Sequence, residues 1–291
     1  MLKNFAQFLA VAGLLAVAAS GQHIGQLTYN YTSFDYPGAT MTEANGINNN
    51  QIIVGDYTDA AGNMHGFARL PSGSFMKLDY PGASGTSLWA INNLNQAAGY
   101  YLDASGNAHG FGFALPSHFQ PLNYPKASQT IVYGLNDSDQ AAGTWVDSTG
   151  NIQSGFALSG THYTNVSYPN SISTLAGGIN SAGTIAGLWF DSNSNESGFI
   201  FANGVFTNVQ YPGVSETAID KINDKNEVVG SYIDASNVVH GWIGSPGFNQ
   251  YQTVDYPGSI NCRLHGVNVA EDVVGRYTDT NSVVHAFVAI P

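Results

Sequence analysis

The dipeptide Tyr-Pro ends an aromatic-rich stretch at nearly constant intervals along the chain. Its tyrosines are Tyr36, Tyr80, Tyr124, Tyr168, Tyr211 and Tyr256. The steps between them are 44, 44, 44, 43 and 45 residues. Because a fixed period of about 20–50 residues is typical of stacked supersecondary units, the chain is predicted to be an array of one repeated unit.

Each repeat divides into short strand-like pieces separated by residues that tolerate tight turns. In the first full copy the pieces cover residues 46–48, 54–59, 65–67 and 75–82. Gly, Asn, Asp, Ser and Pro fill the connections between them, which is typical of hairpin turns. Four antiparallel strands in a meander, repeated six times, predict an all-β, six-bladed β-propeller of four-stranded blades.

The two ends of the repeat array complement each other. Residues 31–37 match a fourth strand with no preceding partners, and residues 285–290 match a third strand with no following one. The N-terminal strand is therefore expected to complete the last blade and close the ring, which leaves no unpaired sheet edge. We expect one propeller domain over residues 26–291.

The composition and the N-terminal segment indicate the compartment of the protein and limit its possible partners. Residues 1–20 combine Lys3, an apolar run and small residues at the end, a pattern typical of a secretory signal peptide. The net charge of −12 disfavours nucleic acid and anionic membranes, and no other segment approaches a membrane span. The single cysteine, Cys262, cannot form an internal disulfide. We expect a monomer, secreted or periplasmic, without membrane insertion and without cofactor or metal.

Two polar columns repeat faithfully enough to suggest structural roles. An aspartate two residues after an aromatic recurs at Asp59, Asp103, Asp147, Asp191, Asp234 and Asp279. A histidine recurs at His65, His109, His240 and His285, with Ser154 and Ser197 in the other copies. Each turn offers one carboxylate where calcium needs about six to eight oxygens, so the aspartates are interpreted as turn caps. Replacement by serine favours a hydrogen-bonding role for the histidines over metal binding. The repeated tyrosines are expected to pack between blades.

One column just before the Gly-Ile-Asn element does not repeat. Its members are Asn45, Trp89, Tyr133, Gly177, Asp220 and His265. The following position is Gly or Ala in five copies and Lys221 in the remaining one. If this strand is the innermost, these side chains meet at the mouth of the central channel. We therefore predict a ligand site there, against the alternative that the column is exposed and simply variable.

Charged residues, which make up only 10% of the chain, gather in the last two copies. Arg263 and Arg276 join the predicted ligand-binding residues Asn45, Trp89, Tyr133, Asp220, Lys221 and His265. If the protein is an enzyme, Asp220 with His265 or Glu216 is the expected general acid and base pair. No catalytic residue is assigned beyond that alternative.

The repeat resembles a known family at the level of its motifs. The succession Tyr-Pro-Gly-Ala, Gly-Ile-Asn-Asn, Val-Gly-x-Tyr-x-Asp and His-Gly-Phe (His285-Ala286-Phe287 in the last copy) is similar to the bacterial extracellular HAF repeat family. The resemblance covers nearly the whole mature chain and implies an extracellular, propeller-like repeat protein with no established activity. Some members carry a C-terminal sorting tail that this chain lacks, so secretion or periplasmic residence is expected rather than surface anchoring.

Three functions remain open at this point. The first is a binding module that recognises a carbohydrate, another extracellular polymer or a protein partner at the channel mouth. The second is a structural repeat protein of the extracellular matrix or envelope. The third is a hydrolase or lyase with its site in the central channel.

Overall fold

The computed structural model describes residues 26–115, 117–150, 153–248 and 250–291. The predicted signal segment, residues 1–20, lies outside this part of the chain. The described residues form β-strands and a 3-10 turn at Pro246–Phe248. No helix in these ranges has the length and apolar character needed to cross a membrane.

The strands form four sheets of four strands and one of eight. The last sheet in the chain holds β1 (Asn30–Phe34), β22 (Asn261–Val267), β23 (Val273–Thr278) and β24 (Val284–Ile290). The first holds β2 (Met41–Ile47), β3 (Ile53–Thr58), β4 (Met64–Arg69) and β5 (Phe75–Lys77). The second holds β6 (Gly85–Ile91), β7 (Gln96–Leu102), β8 (Ala108–Ala114) and β9 (Ser117–Pro121).

The remaining strands form the eight-stranded sheet and another four-stranded one. The larger sheet holds β10 (Gln129–Leu135), β11 (Ala141–Val146), β12 (Gln153–Ser159), β13 (His162–Val166), β14 (Ser173–Ile179), β15 (Ile185–Phe190), β16 (Glu196–Ala202) and β17 (Val205–Val209). The other holds β18 (Glu216–Ile222), β19 (Val228–Ile233), β20 (Val239–Ser245) and β21 (Gln250–Thr253).

The predicted blade of four antiparallel strands is confirmed, and the fold is an all-β propeller. The number of separate sheets is five rather than six. The difference comes from one parallel residue pair, Gln153 with Ser173, which joins β12 to β14 and merges two meanders into the eight-stranded sheet. At the other side of the molecule β1 pairs antiparallel with β24, from Asn30 opposite Ile290 to Phe34 opposite Ala286.

The first strand of each meander, here called an inner strand, contacts the inner strands beside it. The contacts run from β2 to β6, β10, β14, β18 and β22, and β22 contacts β2 in turn. Every inner strand contains a β-bulge at the same point of the repeat. A glycine lies opposite each bulge because the two backbones approach closely there: a Cβ on Gly55 would lie 1.9 Å from the carbonyl oxygen of Glu43.

The core lies between neighbouring sheets and repeats with the sequence. Its largest fully buried rings are Phe67, Phe111, Phe156, Phe199, Trp242 and Phe287, one from the third strand of each meander. Burying a side chain of this size contributes roughly 1.5–3 kcal/mol each. The aromatic after His-Gly or its equivalent therefore holds each meander against its neighbour.

The repeated tyrosines stack face to face on an aromatic ring of the following meander, so the predicted packing between blades is confirmed. The stacked pairs are Tyr36–Tyr57, Tyr80–Tyr101, Tyr124–Trp145, Tyr168–Trp189, Tyr211–Tyr232 and Tyr256–Tyr277. Their centroids are 3.7–4.5 Å apart and their planes 4–14° from parallel. Each stack ties the end of one meander to the second strand of the next.

The repeated aspartates cap hairpin turns, as predicted. Asp59 Oδ1 accepts the backbone N–H groups of Ala61 and Asn63 at 2.8 and 2.9 Å, and Asp103 makes the same pair of contacts. Side-chain hydrogen bonds, from Asn63 to Asp59 and between His109 and Asp103, act together with these backbone bonds to favour the ionised form and lower the pKa of both carboxyls. The repeated aspartates therefore have a structural role in the hairpin turns.

Three of the four repeated histidines, His65, His240 and His285, lie between two carboxylates, and His109 contacts, among the described carboxylates, that of Asp103 alone. His65 contacts Asp79 through Nδ1 at 2.9 Å and Asp59 through Nε2 at 3.2 Å. His240 contacts Asp255 at 2.6 Å and Asp234 at 3.4 Å in the same way. The predicted hydrogen-bonding role is therefore confirmed, and the imidazole joins the hairpin turn to the outer strand.

Candidate functional site

The bulge residues of the inner strands meet at one end of the central channel. Five of the six line a cavity of about 320 Å³: Trp89, Tyr133, Gly177, Asp220 and His265. A bulge turns one side chain away from the regular alternation of the strand, which is how a position inside a repeat is aimed at a site. Lys221, Arg263 and Arg276 line the same cavity. Seven of the eight predicted ligand-binding residues thus come together.

Asn45 is the exception, and its predicted place at the cavity is wrong. Its side chain is fully buried and its Nδ2 donates to Asp56 Oδ1 at 2.8 Å and to the carbonyl oxygen of Leu88 at 3.1 Å. Ser87 Oγ donates to the same Asp56 oxygen at 2.6 Å. A carboxylate behind the first bulge therefore captures the amide, and Asn45 holds β2 to β6 instead of facing a ligand.

Aromatic rings form one wall of the cavity. Trp89 meets Tyr133 edge to face at 5.0 Å between centroids and His265 at 5.7 Å. The indole Nε1 of Trp89 is buried and has no hydrogen-bond partner among the described residues. A buried donor without a partner costs about 1–3 kcal/mol. The wall therefore offers both a flat apolar surface and a hydrogen bond that a ligand can accept.

The carboxylate of Asp220 faces the imidazole of His265. Asp220 Oδ2 lies 3.3 Å from His265 Nδ1, within ion-pair distance but without hydrogen-bond alignment. Within the part of the chain that the structure describes, that oxygen and both ring nitrogens lack hydrogen-bond partners. Burial raises the pKa of Asp220, but the imidazole and the charges of Lys221 and Arg263 outweigh it and hold the pKa below its usual range. The group is therefore an ionised acceptor at neutral pH.

Lys221 places an amine at the bottom of the cavity. The residue is 9% exposed, and its Nζ lies 5.4 Å from the centre of the Trp89 ring with no hydrogen-bond partner in the described ranges. Burial lowers the pKa of the amine to about 8, partly offset by Asp220. A buried amine without a partner is unfavourable in the free protein and is available to a ligand.

Two arginines, Arg263 and Arg276, also line the cavity. Arg276 forms an ion pair with Glu43, and Arg263 donates to Ser231 Oγ at 3.2 Å. Glu43 also lines the cavity and was missed from the sequence, as were Leu175 and Leu188. These positions could have been found in the sequence. Glu43 and Leu175 stand two residues before the bulge residue of their strand, Leu188 is the cross-strand partner of Leu175, and both positions vary between copies.

Glu216, proposed from sequence as an alternative partner of Asp220, is not among the cavity-lining residues. It lies near Glu196, whose pKa is raised to about 7 mainly by burial and then by Asp220. Across the described residues no three His, Cys, Asp or Glu side chains lie close enough to hold a metal ion.

The channel narrows beyond Lys221. An apolar girdle formed by Ile47, Ile91, Leu135, Ile179, Ile222 and Val267 surrounds a void of about 60 Å³. At the far end a ring of asparagines surrounds a void of about 70 Å³. The wide cavity is thus the end of the channel with room for a ligand.

That asparagine ring is a continuous hydrogen-bond cycle. Its members are Asn48, Asn92, Asn136, Asn180, Asn223 and Asn268. Each Nδ2 donates to the backbone carbonyl oxygen of the next member at 2.9–3.3 Å, and Asn268 donates to Asn48. The sequence showed the column as part of a turn but gave no sign of bonds between copies.

Known structures share this fold. AofleA from Arthrobotrys oligospora superposes with a TM-score of 0.55 at 11% identity, over 93% of this chain and 89% of that one. A fucose-specific lectin from Aleuria aurantia gives 0.55 at 9% identity, over 86% and 93%. A gluconolactonase from Xanthomonas campestris gives 0.56 at 13% identity, over 90% of each chain. No protein-family model and no curated protein matches the sequence. The fold defines the class, a β-propeller.

Proposed function

We propose that this protein is a carbohydrate-binding β-propeller whose ligand lies in the cavity lined by Trp89, Tyr133, Asp220, Lys221 and His265. The observation that carries the proposal is the convergence of the non-repeating residues on one cavity. Their buried polar atoms lack hydrogen-bond partners among the residues that the structure describes, at Trp89 Nε1, Lys221 Nζ, Asp220 Oδ2 and both nitrogens of His265.

This chemistry suits a sugar. An aromatic ring packs against the C–H face of a pyranose, while hydroxyls at its rim need donors and acceptors at close range. Trp89 and Tyr133 supply the rings, Asp220 supplies an acceptor, and Lys221 supplies a donor. Ligand pockets are typically about 300–1,000 Å³, so a cavity of about 320 Å³ holds one or two sugar units.

The structural comparisons support a sugar ligand only through shared architecture. The Aleuria aurantia lectin has been solved with Fucα1-6GlcNAc bound, at 9% identity to this chain. An identity this low carries the fold and not the site, so the cavity residues above remain the main support.

We also propose a closed ring of six blades. One residue pair joins the two halves of the eight-stranded sheet, and each half has the four strands of a blade, which supports counting it as two. Closure is supported by the pairing of β1 with β24 and by the hydrogen bond from Asn268 to Asn48.

The proposed setting is outside the cytoplasm of a bacterium. Support comes from the signal-like residues 1–20 and from the resemblance to the HAF repeat family, both read from the sequence. In that setting the ligand is a glycan of the cell envelope, an extracellular polymer or a glycosylated partner protein.

A glycan array probed with the mature chain tests the proposal. We expect binding to a limited set of glycans, at least about 10-fold weaker in Trp89→Ala. The matched control is Leu94→Ala, because Leu94 is 61% exposed in the turn that follows the same inner strand. Absence of binding to every glycan and envelope fraction would contradict a carbohydrate-binding role and favour a structural one.

A second candidate is a hydrolase or lyase, favoured by the contact between Asp220 and His265 inside the cavity. The pair has an ionised carboxylate and an imidazole, the groups that general acid and base chemistry uses. Glycans bound on the array are incubated with wild type and with Asp220→Asn. Product formation lost in the variant supports an enzyme, and equal rates or none remove Asp220 from that role.

A further inference from the structure

We propose that the ligand is an acidic sugar whose carboxylate is held by Lys221 and Arg263. This inference rests on the proposed carbohydrate-binding function and names the ligand class of the same cavity. The sugar ring packs against Trp89, its hydroxyls meet Asp220 and His265, and its carboxylate takes the two cations.

The first support is the distribution of charge. The chain carries a net charge of −12 with eight Lys and Arg residues, three of which line this one cavity. The lining holds those three cations and an imidazole against two carboxylates, Glu43 and Asp220. The cavity is therefore the place where an otherwise acidic molecule favours an anion.

The second support is the pairing inside the cavity. Glu43 is matched by Arg276, and Asp220 lies against His265. Lys221 and Arg263 have no carboxylate within ion-pair distance among the described residues, and Arg263 donates only to the hydroxyl of Ser231. Within the described part of the chain, Lys221 and Arg263 are thus the two cations of the lining without an ion-pair partner within hydrogen-bonding distance, and the two oxygens of one carboxylate can bind both.

The third support is that Lys221 departs from its own repeat. The equivalent positions are Gly46, Ala90, Gly134, Gly178 and Gly266. These small residues fit because the inner strands approach closely: a Cβ on Gly178 would lie 3.0 Å from the Cα of Lys221. A long buried amine at this place is not needed by the fold, which the other copies build without it. Its presence at the cavity points to a ligand.

The chemistry of the cavity distinguishes sugar carboxylates from other anions. Arginine binds a planar carboxylate through two parallel N–H groups, while an ammonium acts as a point charge. Asp220 repels a second negative charge, so a group with two charges, such as a phosphate monoester, is disfavoured. A sugar ring with several hydroxyls and a single carboxylate therefore suits both the cations Lys221 and Arg263 and the acceptor Asp220.

Calorimetric titration of the mature chain tests this inference. The probes are trigalacturonate, trimannuronate and sialyllactose, each paired with its uncharged counterpart, in which the carboxyl is reduced to an alcohol or the sialic acid is removed. We expect at least one acidic probe to bind about 10–100-fold tighter than its counterpart. Lys221→Ala should reduce that preference to below about 3-fold, because alanine is already found at this position in another copy.

The controls separate the site from general charge effects. Lys225→Ala removes a half-exposed cation that pairs with Glu271, and it should leave the affinity unchanged. Near-ultraviolet circular dichroism confirms that each variant is folded. A 6-sulfated neutral sugar is a further arm, and equal binding of sulfate and carboxylate probes would overturn the carboxylate assignment.

The outcomes also distinguish this inference from the proposed function. Equal affinity for acidic and uncharged probes, with no effect of Lys221→Ala, overturns the acidic ligand and leaves a neutral sugar site. Binding of neutral glycans alone, such as fucosides, would likewise overturn the acidic ligand and leave a neutral sugar site. Failure of every glycan overturns both proposals.

Discussion

Asn268 donates its Nδ2–H to the backbone carbonyl oxygen of Asn48 at 3.3 Å, across 220 residues of sequence. The bond belongs to the same series that links each earlier asparagine of the ring to its successor. Val269 N–H donates to Asn49 Oδ1 at 3.1 Å beside it. The last inner strand is therefore linked to the first by the same asparagine side-chain bond that links every other neighbouring pair.

Replacing Asn268 with alanine should destabilise the protein by about 2–4 kcal/mol, since the variant loses the bond to Asn48 and leaves buried turn N–H groups without an acceptor. Urea denaturation measures the effect. Asn136→Ala is the matched control, because Asn136 makes the same contacts in the middle of the ring. A much smaller effect at Asn268 than at Asn136 would argue against a tight seam.

Lys126 has a backbone φ of 67°, at a turn position occupied elsewhere by Gly38, Gly82, Gly213 and Gly258. Left-handed backbone disfavours a side chain, so Lys126→Gly should stabilise the protein by about 0.5–1 kcal/mol. Thermal denaturation checks this. Gly82→Ala is the reverse control: its Cβ would meet nothing within 4 Å, so any loss comes from the backbone angle alone. Stabilisation by both variants, or by neither, would contradict this reason.

The bridge made by His240 should make stability depend on pH near neutrality. Burial opposes the charged form of His240, but Asp255 and Asp234 outweigh it and raise its pKa above the usual 6.5. Stability from this bridge is thus fully present below about pH 6.5 and lost as pH rises through the folded pKa. His240→Ser, which copies the serine of two other repeats, should lose less stability than wild type between pH 6.5 and 8. Parallel melting-temperature profiles over this range would contradict the role of the bridge.

Lys221→Ala should stabilise the free protein by about 1–3 kcal/mol at pH 7 while it weakens ligand binding. The folded pKa of about 8 lies below the unfolded value of 10.5, so the cost of the charged amine is present below pH 8 and fades as pH rises toward 10.5. Chemical denaturation at pH 7 and pH 10 measures both ends. A destabilised variant would show that the amine supports the fold.

Affinity for an acidic sugar should fall as pH rises through about 8, where Lys221 loses its charge. Two other groups that line the cavity do not reverse this trend: Asp220 has a lowered pKa and is already ionised, and burial raises the pKa of Tyr133 so that the phenol stays neutral. Titration between pH 6.5 and 9 measures the change. In Lys221→Ala the fall should be absent, and an equal fall in the variant would assign it to another group.

The sequence predicted the propeller and most of the cavity because both follow from comparing copies. A constant column, such as the stacked Tyr80 on Tyr101, builds the scaffold, and a column that varies, such as Trp89 and Asp220, reaches the channel. The bulge that aims these side chains was not foreseen, because an extra residue in one strand is defined by its pairing partner. Only the glycine opposite it, such as Gly99, is visible in sequence.

Asn45 was misplaced and Glu43 was missed from the sequence because the positions of both side chains depend on tertiary contacts. Asn45 belongs to the right column but is held by Asp56, whose neighbour Ser87 comes from the next sheet. Glu43 stands in a variable column, but its ion pair with Arg276, which lies 233 residues away, is not visible in the sequence. Periodicity locates positions on a repeat, but it does not say which pairs of irregular side chains meet across the ring.

A crystal structure of the mature chain with its tightest-binding oligosaccharide tests the central claim most directly. The account predicts sugar density in the cavity of about 320 Å³, with a ring against Trp89 and a carboxylate at Lys221 and Arg263. A second cavity of about 200 Å³ lies beside Tyr256 and Asn261, away from the channel. Sugar density there, with the central cavity free of ligand, would contradict the account.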